Sequence, residues 1–303
     1  MVPLSNELLA EVRRLQFHTR RVVNQDLAGG YRSAFRGRGM EFEEVREYAP
    51  GMEIRSIDWK VTARRGMPFV KTYREERELT VMLLIDVSPS TATGTRKQFR
   101  RELIAQVGAV LTLIALRNND KVGLLTFGDN DQRFYPPRKG RGAQWRILRE
   151  LLSHNSREQN PTLVGSQGSK VAQALRFLMG VLPRRSVIFL LSDFLDTSYE
   201  ELLPLVSRKH DLTGLLAGDP SDLSLPSVGL CRFLDPESGQ ELVVDTSDPA
   251  FQRSYQQEAL ARLATLRAAF HRSAVPLLEL STDTSFMPTL RQYFGRRSQG
   301  MKR

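Results

Sequence analysis

The chain has 303 residues, 41% of them hydrophobic, and a formal net charge of +10. That allows one large domain, or a domain with a substantial appendage, and enough apolar material for a real core. The single cysteine, Cys231, excludes an internal disulfide and any cysteine-based metal cluster, and it agrees with a reducing compartment.

The longest apolar-dominated stretch, Val107 to Leu116, falls well short of the roughly eighteen residues a membrane span needs. Asn6, Glu7 and Glu11 interrupt the first apolar residues, so no secretory core is read after Met1, and the expected location is the cytoplasm. Basic residues gather modestly over 138–149 and at Arg296, Arg297, Lys302 and Arg303, with acids between many of the others. Without an interleaved aromatic motif this pattern favours a solvated surface over nucleic-acid binding.

Taken in order, Ser5 can cap a first helix over residues 5–24, with Leu8, Leu9, Val12 and Leu15 near helical spacing. From Gly29 to Gly51 five glycines punctuate a stretch rich in Arg, Glu and aromatic residues, which reads as turns and short extended pieces rather than helix. Residues 41–64 alternate acid, base and ring, as in an ion-paired β element packed on the main domain, with Trp59 largely buried. The first region closes at residue 77, and the main domain runs over 78–303. Val81 to Ile85, five apolar residues bounded by polar ones, predict a strand buried on both faces.

A helix over 96–116 follows, with one buried face at Phe99, Leu103, Val107, Val110, Leu111 and Ile114. Next come a buried strand over 121–127, a partner strand within "QRFYPP", a helix over 142–152, and a long polar loop over 153–168. A helix from Ser169, a buried strand over 187–191, a helix over 198–207 and the strand "LTGLLA" continue the alternation. A hairpin near 229–246 interrupts it before a helix capped by Asp248, the strand "VPLLEL" and a final helix over 284–294. Alternation of this kind predicts an α/β fold: a mainly parallel sheet of at least five strands with helices on both faces.

Just past the first buried strand, Asp86, Ser88 and Ser90 stand at alternate positions, where open α/β sheets place their ligands. Asp193 ends another buried strand in the same way, and the long loop brings hydroxyls at Thr162 and Ser169 near a helix start. One cation could gather all of them. An all-oxygen set suits a hard ion, Mg2+ first and Mn2+ next, and a few hydroxyls with water-bridged carboxylates leave a position for an incoming carboxylate.

Asp86, Ser88, Ser90 and Asp193 resemble the metal-ion-dependent adhesion site of von Willebrand factor A domains, D-x-S-x-S followed by a distant Thr and a distant Asp. In "GSKVAQAL" Ser169 stands where related sequences carry that Thr, and Thr162 is the alternative ligand. A second resemblance, to the DUF58 family, rests on Gly37, Gly39, Glu41, Phe42, Arg46, Tyr48, Gly51, Arg55, Ile57, Asp58, Trp59, Ala63 and Arg64. Met52 departs from it, standing where the family usually has an acid. The resemblance implies a Rossmann-like von Willebrand A-type domain. Its implied role is an adaptor beside a MoxR-type AAA+ ATPase or other von Willebrand A proteins, with a partner's acidic side chain at the metal.

No phosphate loop, H-E-x-x-H or G-x-S-x-G elbow is present, and His18, His154, His210 and His271 are widely spaced. The expected function is therefore a non-enzymatic, divalent-metal-dependent adaptor. Its alternatives are a metal-dependent hydrolase and a basic protein that binds nucleic acid or a membrane surface.

Overall fold

The structure is a computed structural model that describes residues 25–35, 41–50, 52, 57–74, 78–94, 97–128, 132–155, 170–234 and 240–300. The helix expected over 5–24 and the loop residues Thr162 and Ser169 lie outside them. The chain divides into two compact units, residues 35–79 in one and residues 1–34 with 80–303 in the other. The division differs from the expected one, which placed everything up to residue 77 in a single N-terminal region.

The first described helix, α1 (Gln25–Ala34), belongs to the larger unit. Extended pieces were expected from Gly29 onward, yet α1 continues through Gly29 and Gly30. Packing overrides the poor helix propensity of glycine: Leu27, Tyr31 and Ala34 are buried, and Tyr31 meets Phe294 edge to face at 5.6 Å. The Tyr31 hydroxyl also donates to Asp120 Oδ2 at 3.1 Å.

In the smaller unit, β1 (Glu41–Glu47) pairs antiparallel with β2 (Phe69–Arg74). Between them α2 (Trp59–Arg65) is helical, within a stretch expected to be a β-rich element. Asp58 explains the change, because its carboxylate accepts the N–H groups of Lys60 and Val61 and caps the helix. Gly66, at φ 72°, ends it in the left-handed conformation. Trp59 then sits at the first helical position of a helix that buries nothing and is 68% exposed, not largely buried as expected. Thr62 Oγ1 accepts the Phe69 N–H at 3.0 Å, and the Arg65 guanidinium lies 5.2 Å above the Phe69 ring.

The larger unit is built on β3 (Thr80–Asp86), β4 (Lys121–Phe127), β5 (Arg133–Arg138), β6 (Val187–Ser192) and β7 (Asp211–Gly218). Beyond β8 (Leu230–Leu234) and β9 (Glu241–Asp245), which pair as the expected hairpin, β10 (Leu277–Ser281) joins the sheet. The six-stranded sheet has the order β10-β7-β6-β3-β4-β5; all neighbours are parallel except β4 with β5. Around it lie α3 (Arg100–Arg117), α4 (Arg141–Asn155), α5 (Lys170–Val181), α6 (Leu203–Lys209), α7 (Pro249–Arg272) and α8 (Met287–Gly300). This is the mixed α/β class expected from the alternation of elements.

The central strand β3 has Val81, Met82, Leu83 and Leu84 fully buried. Each such side chain contributes about 1.5–3 kcal/mol on leaving water, which explains why the unbroken apolar run occupies the middle of the sheet. At the antiparallel edge β5 carries an extra residue at Pro136-Pro137, where one residue of β4, Gly123, faces two. Proline lacks the N–H that a ladder needs and is tolerated at such a bulge.

Gly123 of β4 faces that bulge. A methyl group there would lie 2.8 Å from Tyr135 O and 2.9 Å from Pro137 N, both backbone atoms that cannot rotate away. Gly123→Ala is therefore expected to lower stability by about 1–3 kcal/mol in urea or thermal unfolding. Gly29→Ala, with nothing within 4 Å of the new carbon, should raise it by roughly 0.5–1 kcal/mol through helix propensity.

Candidate metal centre

Because β3 and β6 are parallel with Ile85 opposite Leu191, both chains leave the sheet at the same edge, one at Asp86 and the other at Ser192-Asp193. This is the common edge expected for the two carboxylates. Val87 N–H donates to Phe127 O at 2.8 Å and holds the exit of β3 against β4. Pro89 then starts a short 3-10 turn, Pro89–Ala92. Thr91 Oγ1 donates to Ser88 O at 2.7 Å and Thr93 Oγ1 to Ser90 O at 2.8 Å, so the loop that presents the two serines is fixed by its own side chains.

Within the site Ser88 Oγ and Ser90 Oγ are 2.9 Å apart and both residues are buried. The separation is that of a hydrogen bond; it is also about the cis edge of an octahedral shell with Mg–O distances near 2.0–2.1 Å. Asp86 accepts the Ser88 N–H on Oδ1 at 2.9 Å and the Ser192 hydroxyl on Oδ2 at 2.6 Å. Burial pushes the Asp86 carboxyl up to about 7, Asp193 adds to the rise by repulsion, and the hydrogen bonds from Ser192 and Ser88 work against it.

Among the described residues Asp193 Oδ2 is buried without a hydrogen-bond partner. The Arg100 guanidinium lies 3.9 Å from it, yet that charge is taken up by an ion pair with Asp222. Arg100 and Asp193 both have side chains only 7% exposed. Even so, burial raises Asp222 by more than Arg100 lowers it. An under-compensated carboxylate pair beside two convergent hydroxyls suits a hard cation, so the residues present fit the expected group. Among the described residues no cluster of three or more His, Cys, Asp or Glu is placed to hold a metal, and the candidate depends on hydroxyls as much as carboxylates.

The structure thus brings Asp86, Ser88, Ser90 and Asp193 together, while Ser169 and Thr162 fall outside the described residues. Sequence reading missed three participants. Ser192 was recognisable as the polar residue that ends an apolar run next to Asp193. Arg100 and Asp222 have no spacing that ties them to the motif, since only the fold brings residues 100 and 222 together. Phe194, at φ 53°, adopts a left-handed conformation that is costly for a bulky side chain. Its ring is held against Phe270 at 5.2 Å and its N–H donates to Ser192 Oγ at 3.1 Å, so packing keeps the turn that carries Asp193.

Fold and site define an α/β protein with a hydroxyl-and-carboxylate centre at the carboxyl edge of a mostly parallel sheet. Residues 44–265 match the family described as "Protein of unknown function DUF58", and the chain belongs to that family. It is 29% identical over 296 residues to the uncharacterized protein Rv1480 of Mycobacterium tuberculosis, covering 97% of this chain and 91% of that protein. With the uncharacterized protein YeaD of Bacillus subtilis it shares 29% identity over 107 residues, 35% of this chain and 25% of the other. Among solved structures, BatB from Bacteroides thetaiotaomicron aligns at a TM-score of 0.44 and 16% identity, covering 73% of this chain and 99% of that one. The SpRpn10 VWA domain aligns at 0.37 and 11%, with 71% and 94% covered.

A raised carboxyl means that the folded protein binds a proton more tightly than the unfolded chain, so stability falls as pH rises from the ordinary carboxylate range through about 7. Buried His210, pushed down to about 4 mainly by burial, acts oppositely over much of that window, losing stability as pH falls. Comparison of variants separates the two. Without added metal, Asp86→Asn should gain stability over the parent as pH rises from 4 to 8, by on the order of a few kcal/mol at the upper end. Parallel pH profiles of melting temperature for the two proteins would refute this.

Proposed function

We propose that this chain is a non-enzymatic interaction module whose candidate centre holds Mg2+, or Mn2+ in its place, and docks an acidic side chain of a partner. Asp86, Ser88, Ser90 and Asp193 would hold the ion, with Ser169 or Thr162 as the further hydroxyl. The bound ion would supply an electrophilic position for a partner's anionic oxygen. The observation that carries this reading is the pair of hydroxyls at Ser88 and Ser90, 2.9 Å apart on the loop that follows Asp86, with Asp193 close enough to Asp86 to repel it and its Oδ2 without a hydrogen-bond partner among the described residues. Neutral hydroxyl ligands leave more of the ion's charge for an incoming carboxylate than a cage of acids would.

The chain's own residues would prepare the site. Ser192 and the Ser88 N–H orient Asp86, the 3-10 turn fixes the serines, and Arg100 lies close enough to Asp193 to limit its repulsion with Asp86. The proposed partner is a MoxR-type AAA+ ATPase, an expectation carried over from the family resemblance. A net charge of +10 favours an acidic partner surface by long-range attraction. No described helix is long and apolar enough to cross a membrane.

Capture of such an ATPase is expected in Mg2+ and not in EDTA. Asp86→Ala should abolish capture while leaving the fold intact, Ser169→Ala should weaken it, and Thr162→Ala should have little effect. Affinity pull-down with these three variants measures all of this, and equal capture in EDTA would end the adhesion-site reading.

A further inference from the structure

A cavity of about 390 Å3 opens beside the candidate centre and shares two walls with it, Arg100 and Asp193. Its size falls within the roughly 300–1,000 Å3 of pockets that bury small ligands. Every part of it lies in the larger unit. Phe194, Leu216, Leu263, Leu266 and Leu280 give it apolar walls, from the carboxyl ends of β6, β7 and β10 and from the inner side of α7.

Besides Asp193, which belongs to the candidate centre, three further acids line it and are already engaged. Asp219 accepts from Ser221 and Thr282, Asp222 pairs with Arg100 and accepts the Asp219 N–H, and Glu279 is held bidentately by Arg267. Arg100 is taken up by Asp222 and lies near Asp193, and the exposed Arg262 acts on Asp222, so what remains on offer is the apolar wall. An apolar-walled space that opens directly beside the candidate centre suits an apolar group carried next to the carboxylate that meets the ion.

We infer that this cavity receives a large apolar side chain of the docking partner, adjacent in sequence to the acidic residue that reaches the metal. The inference rests on the metal-dependent reading above and sharpens it. The recognised element is then a short segment in which Asp or Glu is flanked by Phe, Leu or a similar residue. The carboxylate meets the centre while its neighbour passes Arg100 and fills the space between α7 and the sheet. Specificity comes from the cavity, because any carboxylate can approach a cation but few segments bring the right neighbour.

Three acetylated, amidated tripeptides test it by calorimetry in Mg2+: Phe-Asp-Phe, Ser-Asp-Ser and Phe-Asn-Phe, with Mg2+ alone titrated first. Phe-Asp-Phe should bind tighter than Ser-Asp-Ser on the order of ten- to a hundredfold, the scale that burial of one aromatic side chain gives. Phe-Asn-Phe should bind far more weakly. Leu263→Trp, which fills the cavity from a half-buried helix position, should remove the preference and leave both Mg2+ affinity and Ser-Asp-Ser binding unchanged. Leu223→Ser, at the exposed rim, should reduce the preference without risk to the core.

Equal binding of the two Asp peptides to a protein that binds Mg2+ would overturn the cavity assignment and leave the metal reading standing. So would a Phe-Asp-Phe preference that survives Leu263→Trp; metal-independent binding of Phe-Asn-Phe as tight as that of Phe-Asp-Phe would overturn both readings, because no carboxylate would then be meeting the ion. Absence of Mg2+ binding would overturn both.

Discussion

The parallel register of three buried strands is the constraint on which everything else at this edge depends. With Val81 opposite both Val122 and Val187, and Ile85 opposite Leu191, the apolar parts of β3, β4 and β6 end together. The residues that follow leave the core on one side of the sheet. Asp86, Ser192 and Asp193 are therefore neighbours although more than a hundred positions separate them along the chain. A slip by one residue would send Asp86 to the other face and dissolve the site.

Bringing carboxylates together at the edge of a dry core is unfavourable unless something compensates. Asp86 is compensated by donors, the Ser192 hydroxyl and the Ser88 N–H. Asp193 has a guanidinium close by, but Arg100 is divided between it and Asp222. The residual imbalance shows in the elevated Asp86 and in the orphan oxygen of Asp193. Local backbone cost is borne nearby as well, at Phe194, where aromatic packing on Phe270 and Tyr199 holds a conformation the residue would otherwise avoid.

The molecule also presents apolar surface away from this edge. In the smaller unit Trp59 and Met67 are more than half exposed. In the larger one the β8–β9 hairpin turns Leu230, Leu234, Leu242 and Val243 to solvent, each more than half exposed. The hairpin is cross-linked by its ladder and by an exposed Arg232–Glu241 pair, which adds little stability. These surfaces lie outside the reach of the motif.

Pattern alone determined the class of fold. Runs such as 81–85 and 187–191 can be satisfied only by burial on both faces, and their alternation with amphipathic stretches leaves a mostly parallel sheet as the consistent solution. The same logic placed Asp86, Ser88, Ser90 and Asp193 at a single edge, because a polar residue that ends a buried strand has to emerge there. Tertiary structure decided the rest, where long-range contacts outweigh local preference. Gly29 and Gly30 are helical because Tyr31 packs on Phe294, a partner more than 260 residues away. Trp59 faces solvent because Asp58 caps a helix that the alternation of charge and ring did not suggest. Arg100, Asp222 and the cavity between α7 and the sheet carry no signature in the sequence at all, since their proximity exists only once the strands have chosen their order.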